Sequence, residues 1–269
     1  VQTDTASSVN NNIPALGAAI RAAGHPALYM VDCIASLACE EFRMDAWGVD
    51  VMVAASQKGL MTPPGMSFTF AGPRAVAARK ALDRVSPYFD WLPRHTPALY
   101  YQHFCGTAPT HHLYGLRAAL DMIFEEGLDN VIARHRILSR TVWAAAEVWS
   151  EVGQIALNIA DRADRSVAVT TLRTGRGDGE RLRRWAEDEA GVTLGIGLPL
   201  DATLEHRGEL FRIAHMGHLH HRLKKDHAGR VGSIDIMLAP IDNGYTMSHE
   251  QLVKVIDDLR PQVVIPMHY

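Results

Sequence analysis

Three cysteines, Cys33, Cys39 and Cys105, are all that this 269-residue chain contains, and no two of them stand at C-x-x-C spacing. An odd set without that spacing excludes a disulfide framework and fits reduced thiols, so the expected compartment is the cytoplasm. No apolar run is long enough to span a bilayer, and no signal-peptide pattern follows Val1. Basic excess is missing too. A formal net charge of -3 and a pI near 6.5 give neither a nucleic acid nor an anionic membrane an electrostatic footing, and neither is expected as a partner. A dinucleotide loop is also lacking. T-G-R-G-D-G-E at 174–180 follows a strand pattern and precedes a helical one, but it fails the G-x-G-x-x-G spacing and reads as a turn with Asp178 near a helix start. What the chain does have is 47% hydrophobic residues, enough for a sizeable core in one large or two smaller domains.

The chemistry concentrates between Tyr29 and Gly65. Two short apolar runs there, 27–31 and 49–55, end in polar residues, Asp32 and the triplet Ser56-Gln57-Lys58. Buried parallel strands deliver side chains to a site at their carboxyl ends in this way. A lysine directly after a buried strand is costly to keep as an ammonium, unless the charge is lost or used. Schiff-base formation is one such use. Upstream, Asn12 and Pro14 open a helical rhythm through Ile13, Leu16, Ile20 and Ala23. The alternation of helix and strand predicts a parallel sheet. Downstream come a short strand at 67–70, a Pro-started helix from Pro73 to about Arg84, and an irregular aromatic, Pro-rich segment from Tyr88 to Thr110. Helical patterns through Leu113–Ile123 and Ile132–Trp149 follow, then strands at 166–172, 192–196 and 210–214 around a charged helix at 180–190. Arg212 lies inside the last of these strands. A guanidinium among apolar neighbours needs an anion, either a bound carboxylate or an internal Asp or Glu.

The pattern V-D-x-x-A-S, a second V-D strand and S-Q-K-G-L-x-x-P-P-G resembles the class V aminotransferases of the fold-type I pyridoxal-phosphate family, nearest the alanine, serine or aspartate:glyoxylate group. The resemblance implies pyridoxal 5'-phosphate as cofactor, joined covalently to Lys58, with Asp32 facing the pyridine nitrogen. It further places Thr5, Ile34, Gln57 and Thr107 at the cofactor and Arg212 on the substrate carboxylate. Thr107 would serve a partner subunit's site, with Phe104 where some relatives carry a tyrosine, so a homodimer is implied. The substrates would be an amino acid (serine, aspartate or alanine) and a 2-oxo acid such as glyoxylate. The glycine-rich phosphate loop and the aromatic that stacks on the cofactor ring have no counterpart before Thr3.

From about Leu219 the likeness changes. V-G-S-I-D-I-M-L-A-P through V-V-I-P-M-H-Y resembles the last strand-helix-strand unit of metallo-β-lactamase-fold hydrolases, with Ser248 and Gln251 at capping-box spacing. There the position of His268 is a zinc ligand, yet the H-x-H-x-D-H cluster is nowhere in the chain, and one histidine does not hold a catalytic zinc. The cluster His215, His218, His220 and His221 straddles the join, and no metal is assigned to it. The expected architecture is α/β: an incomplete fold-type I large domain at 1–126, a small α+β domain at 127–219 and a strand-helix-strand tail at 220–269, an apparent chimera. Three readings stay open. They are a pyridoxal-phosphate aminotransferase, a metal-dependent hydrolase fragment, and a catalytically silent truncated fusion.

Overall fold

The computed structural model describes residues 1–175, 177–198, 208–215, 236–240 and 263–267. Its first half is built on a three-stranded sheet. Helix α1 (Ile13–Ala22) starts where the Asn12 side chain accepts the Ala15 N–H at 3.0 Å, with Pro14 in the first turn, as the sequence predicts. Strand β1 (Met30–Asp32), the short helix α2 (Met44–Trp47), β2 (Val51–Ala55) and β3 (Ser67–Ala71) follow. β1 and β2 run parallel, with Met30 opposite Val51 and Asp32 opposite Val53. β3 departs from the expected parallel order: it returns antiparallel to β2, Ala55 opposite Ser67. The physical reason is the connection. Residues 56–66 form a turn without a crossover helix, and a parallel return needs one. The core beneath is Ile13, Val31, Cys33, Val49, Met52 and Ala54. Buried Asp50 ties its edge, accepting from the Tyr29 N–H at 2.8 Å and Arg74 Nη1 at 2.9 Å.

Helix α3 (Pro73–Lys80) stops earlier than expected, and the one-turn α4 (Leu92–His95) lies within the aromatic segment. A fork from Arg79 to the Asp90 carboxylate pins that segment to α3. Two long helices follow, α5 (Thr110–Glu126) and α6 (Leu128–Val152), separated by Gly127. A second sheet comprises β4 (Ala156–Leu157), β5 (Val169–Arg173), β6 (Gly195–Ile196) and β7 (Leu210–Ala214), in the order β4-β5-β7-β6 with every pairing antiparallel; α7 (Asp178–Asp188) connects β5 to β6. Helix α6 covers this sheet, and Ala146, Leu172 and Phe211 form their shared core. Trp143 on α6 donates its indole N–H to Thr170 Oγ1 at 3.0 Å. A buried aromatic thus gains both packing and a satisfied polar tip.

Strands β8 (Ile236–Pro240) and β9 (Val263–Met267) pair in parallel, Ile236 opposite Val263. They stand where the sequence places the two strands of the tail. The helix expected between them, with Ser248 and Gln251, lies outside the described residues, as do His218, His220, His221 and His268. Among the described residues no helix is long and apolar enough to cross a membrane.

Candidate active site

Asp32 and Lys58 reach one end of the first sheet because β1 and β2 are parallel neighbours. Past Asp32 the chain turns at once: Asp32 Oδ1 accepts the Ile34 N–H at 2.8 Å, and residues 33–40 wind into successive hydrogen-bonded turns. Ile34 therefore meets Asp32 through its backbone. Past β2, Ser56 is fully buried. Its hydroxyl donates to Pro63 O at 2.9 Å, and its carbonyl accepts from Thr62 Oγ1 at 2.8 Å. The P-P-G stretch thereby closes back over the lysine turn. Gly59 is required there, because a Cβ on it would lie 2.1 Å from Leu37 O and 2.9 Å from Cys39 Sγ. Only a glycine lets the lysine turn and the turn after Asp32 approach so closely. Gln57 is half-buried beside Lys58.

Burial lowers the Lys58 pKa from its ordinary value, and the charge of Arg212 lowers it further. Two residues 154 positions apart in sequence thus stand within electrostatic reach. Arg212, on β7 opposite Thr171 and Gly195, donates from Nε to Ile196 O at 2.6 Å and from Nη1 to Thr5 O at 2.9 Å. Its own pKa is lowered by burial and then by Arg183. Arg183 in turn is held by Leu194 O and Glu180. Among the described residues no carboxylate pairs with Lys58 or Arg212, and Nη2 of Arg212 makes no hydrogen bond. The internal ion pair that the sequence left open for Arg212 is not formed there.

The D-T-A-S-S loop meets the site through its backbone. Asp4 Oδ1 accepts the N–H groups of Ala6 and Ser7 at 2.7 and 3.1 Å, a side-chain turn that presents the Thr5 carbonyl to Arg212. Thr171 and Asn158 clamp the loop from the second sheet, at Ala6 O and Ser7 O. Thr107 stands apart. It is exposed between the 3₁₀ turn at 100–104 and α5, and no interaction among the described residues joins it to Lys58, Asp32 or Arg212. Sequence reasoning missed Asp4, the Ile196 carbonyl and Glu40, a half-buried acid on the turn after Asp32. For Asp4 and Glu40 a signal existed: an acidic residue within a tight small-residue stretch needs local donors. The Ile196 carbonyl left none, since any residue supplies one. Cys33 and Cys39 are free and buried, their pKa values pushed up to about 11 and about 12 mainly by burial, so they are unreactive neighbours.

A family model described as Aminotransferase class-V matches residues 1–198, and one described as Beta-lactamase superfamily domain matches residues 205–268. A serine–glyoxylate aminotransferase of Arabidopsis thaliana is 36% identical over 81% of this chain and 53% of its own length. One of Methylorubrum extorquens is 35% identical over 91% of this chain and 58% of its own, a span that includes Arg212 wherever it begins. An alanine–glyoxylate aminotransferase of Nostoc sp. superimposes with a TM-score of 0.67 at 29% identity, over 80% of this chain and 55% of that one. The chain spans little more than half the length of these relatives, and over that span its α/β architecture is the fold-type I one. With residues 1–198 matched, the chain belongs to the class V aminotransferases.

Proposed function

We propose that this protein is a pyridoxal-phosphate aminotransferase that moves the amino group of an amino acid (serine, aspartate or alanine) to glyoxylate or a similar 2-oxo acid. The family and its solved neighbours imply the cofactor. The observation that carries the reading is a pair of unanswered positive charges: Arg212 lies within electrostatic reach of Lys58, its guanidinium is held only by the Ile196 and Thr5 carbonyls, and no carboxylate pairs with either residue among the described residues. A site so built fits an anionic cofactor and an anionic substrate. Asp32, at the end of the parallel strand beside β2, would hold the pyridine nitrogen, with Thr5, Ile34 and Gln57 around the ring. When bound, the cofactor supplies an aldehyde that captures amines and a ring that withdraws electrons from the substrate's α-carbon.

The residues divide the remaining work. A lysine whose pKa is lowered by burial spends more time as the free amine, the form that attacks a carbonyl and later accepts and returns the α-proton. Asp32 would hold the proton on the ring nitrogen. Arg212, with one edge fixed by two carbonyls and Nη2 unbonded among the described residues, can take the substrate carboxylate through its outer donors. The Ser56–Gly65 turn leaves the lysine half-buried.

Within this reading the large domain comprises 1–126, the small one 127–219 and the tail 220–269, and the protein works in the cytoplasm as a homodimer. Support for the dimer is the exposed aromatic surface of Tyr88, Phe89, Tyr100, Tyr101 and Tyr114 around the loop of Thr107. A second reading, a hydrolase fragment, is favoured only by the match at 205–268. One experiment separates them. Pyridoxal phosphate is added, borohydride reduces any adduct, and peptide mapping is expected to find the cofactor on Lys58. Label on other lysines, or on none, would overturn the aminotransferase reading.

A further inference from the structure

We propose that Glu40 is a positioning residue, whose carboxylate fixes the separation between the Lys58 end of the first sheet and Arg212 on the second. The proposal rests on the aminotransferase reading for its functional consequence. Glu40 terminates the turns that begin at Asp32, its N–H bonded to Ser36 O. Its Oε1 accepts the Val167 N–H at 2.8 Å and the Ser166 hydroxyl at 3.1 Å, and Asn10 Nδ2 lies 3.5 Å from Oε2. Val167 and Ser166 belong to the chain entering β5, the strand that pairs with β7 and places Thr171 opposite Arg212, while Asn10 belongs to the amino-terminal segment. Ser166 carries the clasp onward. Its Oγ stands 3.0 Å from Thr3 Oγ1, and its N–H donates to Ser8 O. One acid thereby gathers the turn after Asp32, the start of β5 and the loop whose Thr5 carbonyl holds Arg212.

The arrangement is costly, which argues that it is placed rather than incidental. Burial raises the Glu40 pKa against the donors from Val167 and Ser166, and water would solvate the carboxylate more cheaply. What the fold gains is register. Among the described residues the two sheets' cores share no residue, and only the small buried contact of Ala35 and Cys39 with Ala168 joins the turn after Asp32 to the start of β5, so directional bonds there help fix the register. A substrate that places its amino group at Lys58 and its carboxylate on Arg212 reads that separation directly. An amine without a carboxylate does not.

The test compares Glu40→Ala, Glu40→Gln and the parent chain, each loaded with pyridoxal phosphate. L-Serine and ethanolamine are followed as amine donors, and glycolate affinity is measured by calorimetry on the same proteins without turnover. Glu40→Ala is expected to raise KM for serine and weaken glycolate binding about tenfold, the cost of a misaligned contact at Arg212, while kcat and the ethanolamine reaction hold. Glu40→Gln keeps an acceptor oxygen for the Val167 N–H and is expected to restore most of the difference. The Val167 amide should exchange faster in Glu40→Ala. Should that variant not fold, Ser166→Ala is expected to move glycolate binding the same way by a smaller factor. Equal losses for serine and ethanolamine, or unchanged glycolate binding, would overturn the proposal. A parent chain that traps no cofactor at Lys58 would sink the aminotransferase reading alone, since the glycolate comparison needs no turnover.

Discussion

Lys58 and Arg212 sit on different sheets and owe their chemistry to different causes. Lys58 is perturbed mainly by burial in its own unit: a buried strand ends, Ser56 is sealed, and Gly59 presses the turn against Leu37. Arg212 is set in part by a contact that crosses between units, since one carbonyl that holds it belongs to β6 of its own sheet but the other belongs to the amino-terminal loop. A local site tolerates slack elsewhere in the molecule; a bridging one does not. Damage to the second sheet should therefore reach substrate handling before it reaches cofactor capture.

The hardest break in the comparison is Lys58→Ala. It removes the amine that captures the cofactor and moves the proton, so activity should fall by at least about 10³-fold and borohydride labelling at position 58 should vanish. Intact labelling elsewhere with retained turnover would show that the first sheet does not house the chemistry. Next is Leu172→Ala in the core between α6 and the second sheet, where the side chain is fully buried beside Ala146 and Phe211. A loss of about 2–5 kcal/mol is expected in urea titration. Lys58 labelling in native buffer should survive it better than serine turnover. Third, Arg212→Leu should cost about 10²-fold in kcat/KM for amino acids and little for ethanolamine, the pattern of a lost bidentate carboxylate contact. It should also raise the Lys58 pKa only partway, because burial outweighs Arg212 as its cause. A full return of the pH profile to that of a free lysine would reverse that order.

The two halves were unequally legible in the sequence. The places of Asp32 and Lys58 at the strand ends could be read because a period-breaking polar residue after a buried strand is visible in the letters alone, and β1 and β2 lie where the apolar runs put them. The reversal of β3 was not. Strand direction depends on what connects two strands, and the letters of a P-P-G turn do not show that it takes the place of a crossover helix. Arg212 was legible as a cation in want of an anion. Its neighbours were not, because backbone carbonyls such as those of Thr5 and Ile196 have no signature in composition. Glu40 shows the same gap: a contact 127 residues away in sequence is set by packing, which periodicity does not report.

The smallest expected effect concerns acid, and it separates the two sheets again. Beneath α6, His215 donates from Nδ1 to Val167 O at 3.0 Å, so its Nε2 accepts from Thr170 Oγ1 at 3.2 Å, and that hydroxyl accepts the Trp143 indole N–H. His135 on α6 faces Val131 O at 2.8 Å. Burial lowers both pKa values; the other histidine's charge adds to the lowering at His215, while at His135 the Val131 carbonyl opposes it and Arg134 adds to it. The sign follows. Below the ordinary histidine value of about 6.5 the unfolded chain binds protons that the fold refuses, so stability falls as pH drops through that value toward the lowered ones. Glu40 works in the opposite direction, because an acid whose pKa is raised in the fold favours folding as pH falls. The measurement is therefore best made in Glu40→Gln, by urea midpoints between pH 7.5 and pH 5 with and without His135→Gln and His215→Gln. Flatter profiles in the glutamine variants are expected, together with unchanged cofactor labelling at Lys58 above pH 7. A profile equally steep without the two histidines would move the acid sensitivity out of the second sheet.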